Sequence, residues 1–515
     1  MESIGRAVLG VVGAGAMGRG IAQVFAQSGH VVRLHDAAPG AADTARTSIG
    51  EALARLRDRG RLTPEASNAA LERVRPETAL DALADCDVVI EAVTEDLALK
   101  RRLFVEFERV VGDDALLATN TSSLSVTAIA AACRRPARVA GFHFFNPVPL
   151  MKVVEVIPGV RTAPSAIEAL VELARRAGHL PVIARDTPGF LINHAGRGYG
   201  TEALKLVGEG VADVSTVDRV MREQATFGGT GFRLGPFELL DLTGLDVSHP
   251  VMESIYRQFY DEPRFRPSVI AAQRVAGGLF GRKSGEGFYR HEDGRQVDPP
   301  EPDSAGAPGP EPFERVWVAP GPRQDDVRAL VQSLGGAVDE GPRPRADSLV
   351  VISPLGHDAS TVCSEAGWPA ERSIALDTLF PFAMRGCRRR VLMATPATDP
   401  ALSAAAQRLF SGDGARASVI RDSAGFVAQR IVAMVVAIAC EIAQQRIASP
   451  SDIDVAVRLG LGYPLGPLAM GDAIGPANVA AVLEGMHSCT GDPRYRPSLW
   501  LRRRARLGLP LVHAD

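Results

Sequence analysis

Ala7-Val8-Leu9-Gly10-Val11-Val12-Gly13-Ala14-Gly15-Ala16-Met17-Gly18 is a short run of small apolar residues that breaks into a glycine-rich turn. Consecutive apolar residues bounded by glycine are the pattern of a strand covered on both faces, as in a parallel sheet. A helix-like run follows to about Ser28, and a second strand, Val31 to His35, ends at Asp36. In a G-x-G-x-x-G turn the first glycine permits the tight bend. The second lets the backbone approach a pyrophosphate, and the third lets helix and strand pack closely. The amino end of the following helix favours negative charge. Gly13, Ala14, Gly15, Ala16, Met17 and Gly18 are therefore expected to cradle a dinucleotide. Asp36, 18 residues beyond the last glycine, is suited to accept hydrogen bonds from an adenosine ribose and to repel a 2′-phosphate, which favours NAD over NADP.

Outward from this unit, strand and helix signals alternate. Residues 41–59 and 97–111 read as helices, and 88–92, 116–119, 139–145, 153–157 and 180–184 as strands. The alternation predicts a doubly wound α/β domain, Rossmann-type, over residues 1–186. From 187 to 290 the periodicity turns helical, with segments 190–207, 214–223, 236–244, 248–260 and 267–276, and predicts an all-helical domain. Residues 291–312 are rich in proline and glycine, with Val297 the one large apolar residue, and read as a linker.

The remainder repeats what precedes it. Arg185-Asp186-Thr187-Pro188-Gly189-Phe190 recurs as Arg421-Asp422-Ser423-Ala424-Gly425-Phe426, and Val217-Asp218 as Ile453-Asp454, both at an offset of 236. Pro263-Arg264-Phe265-Arg266-Pro267-Ser268 returns as Pro493-Arg494-Tyr495-Arg496-Pro497-Ser498. Recurrence on this scale predicts a second copy of the helical domain over 421–510. Segment 313–420 then holds the position of a degenerate α/β copy, shorter and without the glycine turn. At the same offset His143 maps to Leu379, Glu155 to Val391 and Asn193 to Gln429, so one active site per chain is expected.

The chain has 515 residues, 46% hydrophobic and 23% charged, enough for several domains with sizeable cores. A net charge of −3 implies neither a nucleic-acid partner nor a membrane surface. Six cysteines lie scattered, with no C-x-x-C pair and no histidine at zinc spacing. That argues against a disulfide framework or a metal site and points to a reducing, cytoplasmic setting. No signal-peptide pattern opens the chain, and the longest apolar stretch, Ile431 to Cys440, is too short to span a bilayer.

Chemistry concentrates in three places. Gly141-Phe142-His143-Phe144-Phe145-Asn146-Pro147 puts a histidine at a strand end, where it can take the proton of an alcohol as hydride leaves the same carbon. On the next strand Glu155 shares a face with Val153 and Ile157, an unfavourable setting unless its carboxylate is paired. Asn120-Thr121-Ser122-Ser123-Leu124 follows a strand end, where an open α/β sheet has its ligand crevice, although Ser123 or Ser125 also suits a helix cap. Asn193 lies one turn into a helix that crosses between domains, facing either cleft or solvent. Only four lysines occur in the chain, so Lys100 is a specific choice, either a point charge or a solvated helix residue.

These motifs, in this order, resemble the L-3-hydroxyacyl-CoA dehydrogenases of β-oxidation. The resemblance covers 7–290 and, more faintly, 421–500. It rests on the glycine turn, Glu91-Ala92-Val93-x-Glu95, Asn120 to Leu124, His143 to Pro147, Asp186 to Phe190 and Gly235-Pro236-Phe237. It implies His143 as general base, Glu155 as its partner, and Ser122 and Asn193 at the substrate oxygen. It further implies Asp36, Glu95, Lys100, Asn120, Ser122 and Asn146 at the NAD site. The family's CoA-contacting Ser/Lys pair falls at Ala52 and Arg59, so the hydroxyl is lost and Arg59 keeps a charge for a CoA phosphate. Known relatives are homodimers paired through helical domains, and here the second copy could act as an internal partner. Two-copy bacterial forms act on 3-hydroxybutyryl-CoA or, in phenylacetate breakdown, 3-hydroxyadipyl-CoA. The rival expectations are an NAD-dependent dehydrogenase of a free hydroxy acid or sugar acid, and a dinucleotide-binding protein without turnover.

Overall fold

Val8–Val12 forms β1, and its alternating side chains feed two different cores. Leu9 and Val11 join one apolar cluster with Ile21 and Phe25, while Val12 joins another with Val89, Phe104 and Phe107. A strand covered on both faces has to be apolar throughout, which is why the opening segment reads as it does. A computed structural model describes residues 7–301, 312–383 and 387–514. Eight strands follow one another in the first sheet: β1, β2 (Val31–His35), β3 (Val74–Glu77), β4 (Val88–Glu91), β5 (Leu116–Thr119), β6 (Val139–Phe144), β7 (Val153–Pro158) and β8 (Leu180–Ile183). Their spatial order is β3-β2-β1-β4-β5-β6-β7-β8. The first six run parallel. β7 returns antiparallel to β6 through a loop with no crossover helix, and β8 runs parallel to β7.

The described residues form two compact units. The first comprises the chain to His194 together with Gln445–Leu461. Its late segment contributes the helix Pro450–Leu461, which lies on β7 and β8.

The second unit, Ala195–Gln444 with Gly462 onward, begins with the helices Arg197–Gly208, Val214–Glu223, Pro236–Thr243, Leu245–Gln258 and Val269–Ala276. It continues through a hairpin, β9 (Arg290–Glu292) and β10 (Arg295–Val297), to a second sheet. That sheet holds β11 (Arg315–Val318), β12 (Ser348–Ile352), β13 (Ser373–Leu376), β14 (Arg389–Ala394) and β15 (Arg416–Arg421), in sequential order. Its pairings run parallel, parallel, antiparallel, parallel, the same series as β4 to β8. The unit closes with the helices Val427–Gln444, Pro467–Ile474, Pro476–Thr490 and Leu499–Leu507.

Four expectations need correction. The helix expected over 190–207 is broken: Gly189 and Phe190 turn at φ 75° and 49°, and helix resumes only at Ile192–Ala195 and Arg197–Gly208. Apolar periodicity is blind to such a turn. The segment that reads as a linker starts with a hairpin, whose Asp293-Gly294 turn has positive φ at both residues, the geometry Asp-Gly favours. Residues 302–311 of that segment lie outside the described residues. The helices Pro64–Arg73 and Pro164–Arg176 and strand β3 fall in stretches to which the sequence pattern assigns no element; Thr63 caps the first helix, accepting from the Ala66 amide. Finally, the apolar stretch 431–440 extends into the 18-residue helix Val427–Gln444, long and apolar enough by composition to cross a membrane, yet buried inside the protein.

That helix packs on Arg197–Gly208 so closely that a Cβ on Gly198 would lie 3.1 Å from the Met434 backbone. Its Arg430 is buried, donating to Glu202 at 2.8 Å, Glu209 at 2.7 Å, Ser423 at 2.9 Å and Tyr495 at 3.1 Å. Burial alone would lower the Arg430 pKa, but Glu202, Tyr495 and Glu209 reverse that and keep it charged. Arg430→Met should therefore cost about 3–5 kcal/mol, because it strands the buried Glu202. Urea unfolding would measure the loss, and a cost below about 1 kcal/mol would mean the network is not holding the helices.

Candidate active site

The carboxyl ends of β1, β4, β5 and β6 share one edge of the first sheet, as parallel pairing requires. At the end of β1 the three glycines act differently. Gly13 has φ 103°, and a Cβ there would sit 2.5 Å from the Ala92 carbonyl. A Cβ on Gly18 would sit 1.7 Å from the Gly13 carbonyl, so helix and turn touch through bare backbone. Around Gly15 nothing lies within 4 Å. Gly15 also caps the helix Ala16–Gln27 without any side-chain bond, leaving the first amides for an anion. Crowding on both sides of an open middle position fits a dinucleotide pyrophosphate. Asp36 docks on this turn, accepting from the Ala14 amide at 2.7 Å and the Ala38 amide at 2.9 Å.

A buried ion cluster organises the next loops. Lys100 is 1% exposed, and its ammonium lies 2.6 Å from Glu91 and 3.3 Å from Glu95. Glu91 also accepts from Thr119 Oγ1 and the Val93 amide. Glu95 Oε1 accepts from Thr121 Oγ1 at 2.6 Å and from the amides of Ser122 and Ser123 at 2.9 and 3.1 Å, with both serine hydroxyls also in reach. Burial would push the Glu95 carboxyl up, but the Lys100 charge and these donors hold it below its usual range. Lys100 is thus neither solvated nor a free cation. It steadies Glu95, and Glu95 fixes the loop carrying Ser122. Asn120 ties that loop to the end of β6, accepting from the Phe144 amide at 2.8 Å. Ser125, not Ser123, caps the short helix Val126–Ala130.

His143 on β6 and Glu155 on β7 are register partners. The imidazole Nδ1 lies 2.6 Å from Glu155 Oε2. Glu155 is fully buried, and its other oxygen accepts the amides of Leu191 at 3.0 Å and Ile192 at 2.8 Å. Both carboxylate oxygens are therefore engaged, which answers the cost of burying it. With Nδ1 donating to the carboxylate, Nε2 is left with a lone pair that can accept a proton. The Phe145 and Phe190 rings flank the imidazole, with centroids at 4.4 and 5.9 Å. Asn193 brings its amide Nδ2 to 3.5 Å from the Ser122 carbonyl, so it turns toward the serine loop.

One cavity touches both the glycine turn, through Ala16, and the expected CoA-contacting helix. Asn146 lines a cavity of about 300 Å³ with Arg19, Ser48, Ala52 and Arg55. Arg59 stands exposed beyond the end of the helix Ala41–Asp58 and is not among that cavity's lining residues. Ser48 and Arg55 line the cavity beside Ala52, one helical turn before Ala52 and Arg59 respectively. Glu91 stands in a family motif that implies no role for it; a lysine nine residues after an acidic strand end was the available signal. Among the described residues no cluster of three or more His, Cys, Asp or Glu could hold a metal.

Residues 8–187 match the 3-hydroxyacyl-CoA dehydrogenase NAD binding domain. Residues 189–291 and again 425–510 match the C-terminal domain of the same family. The chain is 37% identical over 499 residues to a 3-hydroxyadipyl-CoA dehydrogenase of Escherichia coli, covering 96% of this chain and 97% of that one. A crystal structure of a 3-hydroxybutyryl-CoA dehydrogenase from Escherichia coli superposes with a TM-score of 0.81 at 35% identity, covering 98% of each. An (S)-3-hydroxybutyryl-CoA dehydrogenase from Ralstonia eutropha matches 56% of this chain with all of its own length, at 36% identity and a TM-score of 0.53. The chain belongs to the 3-hydroxyacyl-CoA dehydrogenase family and is an NAD-dependent oxidoreductase.

Proposed function

We propose that the chain oxidises a short-chain or dicarboxylic (S)-3-hydroxyacyl-CoA to the 3-oxoacyl-CoA, in fatty-acid β-oxidation or phenylacetate breakdown. The observation that carries this reading is the 2.6 Å contact between His143 and Glu155. NAD, held by Gly13, Ala14, Gly15, Ala16, Met17, Gly18 and Asp36, supplies the hydride acceptor. The rest falls to the chain. Nε2 of His143 takes the hydroxyl proton, and Glu155 offsets the positive charge that forms on the ring. Ser122 and Asn193 orient the reacting oxygen, with Glu95 and Lys100 acting through the serine loop. Arg19, Ser48 and Arg55 offer a hydroxyl and two charges to CoA phosphates, in place of Ala52 and Arg59. All six cysteines are thiols, which fits a reducing cytoplasm.

We also infer that 313–420 and 421–510 are a second, catalytically silent copy. The pairing series of β11 to β15 supports this, because it repeats β4 to β8 and omits the three strands that build the glycine turn. Asp422 accepts the amides of Ala359 and Ser360 as Asp186 accepts those of Val126 and Thr127. Register revises one equivalence: the Asp377 amide donates to Val391, so Asp377 rather than Leu379 stands where His143 would be. Burial pushes its carboxyl up to about 6, and Gln429, the counterpart of Asn193, donates to it at 2.9 Å.

The two helical copies pack as a dimer's would. Gly198 meets Met434, its own counterpart 236 residues on. The amide of Arg421 donates to Val211 at 3.0 Å, and that of Arg185 to Ile447 at 2.9 Å, two bonds related by the same offset. A contact that repeats under exchange of the copies is what a two-fold interface produces.

Purified protein should consume NADH with acetoacetyl-CoA and far more slowly with free acetoacetate. Equal rates would move the reading to a free hydroxy-acid dehydrogenase, and a chain-length series with a dicarboxylic thioester would define the acyl group. His143→Gln should lower turnover by about 10²–10⁴-fold with NAD affinity nearly unchanged. Near-native turnover would remove His143 as the base. The solution mass should be that of one chain, 54.6 kDa; a dimer joined through the first helical copies would refute the internal partner.

A further inference from the structure

We propose that the helix Pro450–Leu461, which belongs to the catalytically silent copy, is a positioning element of the His143–Glu155 pair, acting through a contact between Gly460 and Ile192. The inference rests on the reading of that pair given above. The helix lies on β7, the strand that carries Glu155, and on β8. Ile453, Ala456 and Val457 are fully buried, and Gly460 continues their stripe at helical spacing. Upstream, the segment is anchored by the Arg185 amide on the Ile447 carbonyl at 2.9 Å and by the Arg185 guanidinium on the Gln445 carbonyl at 3.2 Å.

At Gly460 the approach is tight. A Cβ there would lie 2.7 Å from Ile192 Cδ1, 3.1 Å from Cγ2 and 3.4 Å from Cγ1. Gly460 has no positive φ, so its backbone accepts any side chain. The three nearest atoms that a Cβ would meet all belong to the Ile192 side chain, which would have to shift to admit it. The amide of Ile192 is in turn the shorter of the two backbone donors on Glu155, at 2.8 Å. Gly460 therefore sets how near Ile192 sits to β7, and Ile192 sets how firmly Glu155 holds the imidazole. A copy that has lost its own base still serves the reaction, because its helix backs the working carboxylate.

Gly460→Ala separates positioning from stability, because alanine favours a helix over glycine. Positioning predicts that kcat with acetoacetyl-CoA falls about 5–20-fold. KM for both substrates should stay unchanged, and the thermal midpoint should be equal or higher. Adding Ile192→Val deletes the Cδ1 atom in conflict and should restore kcat to within about twofold of the wild type. Gly460→Val, a larger intrusion, should lower kcat further. The proposal is overturned if kcat in both single variants stays within twofold of the wild type. It is equally overturned if the loss tracks a fall in thermal midpoint and the Ile192→Val change does not relieve it. Should the wild type itself fail to reduce acetoacetyl-CoA, the fault would lie in the functional reading and not in this contact.

Discussion

A carboxylate with no exposed surface must find partners for both oxygens or give up its charge. Glu155 meets that demand with an imidazole on one oxygen and two consecutive backbone amides on the other. Much of the first unit follows from this requirement. β7 has to return antiparallel so that Glu155 falls opposite His143 in register. The chain after β8 turns sharply at Gly189 and Phe190, and a turn immediately before a helix offers two free amides side by side. The helix that starts at Ile192 is anchored by the same carboxylate that holds the His143 imidazole, so fold and candidate site share one set of bonds.

A second buried carboxylate network lies on the same edge of the sheet and works by the same rule. Glu91 is held by Lys100, Thr119 and the Val93 amide, and Lys100 reaches on to Glu95. A lysine that is 1% exposed is stable only because two acids share it. The result is a serine loop whose amides and hydroxyls converge on Glu95 rather than moving with solvent. In the proposed reaction such preorganisation would let Ser122 meet a reacting oxygen without a reorganisation cost.

The parts of this architecture that were legible in the sequence were those with local periodicity or with residue types that make no sense unpaired. The glycine turn spoke through spacing, and the jobs of Gly13, Gly15 and Gly18 follow from what a Cβ would strike at each. Glu155 spoke through its company, an acid among valines and isoleucine on a strand. Long-range partners were silent. Nothing local says that Lys100 turns inward to Glu91, or that Arg55 rather than Arg59 lines a cavity, since the two arginines are four residues apart and only the helix end, at Asp58, separates them. The β9–β10 hairpin hid in a proline-rich stretch because Asp293-Gly294 reads equally as linker and as turn. At a constant offset of 236 His143 maps to Leu379, whereas the register of β13 on β14 sets Asp377 opposite Val391, two residues out of step with that mapping.

The second sheet shows which parts of such a fold separate from its chemistry. Five strands with the pairing series of β4 to β8 suffice to enclose an apolar core of Val316, Val318, Leu349, Val351, Ile374 and Leu392 against Leu330, Leu402 and Phe410. The three strands with no equivalent there are those around the glycine turn, whose middle position, Gly15, has nothing within 4 Å of where a Cβ would stand. Where the first sheet pairs His143 with Glu155, the second pairs Asp377 with Val391, and the buried acid is satisfied by Gln429 and Gln224 instead. In place of an imidazole–carboxylate pair the second sheet holds its buried acid with side-chain amide hydrogen bonds. Packing demands survive that exchange because burial depends on area and shape, whereas catalysis depends on one lone pair being left unsatisfied.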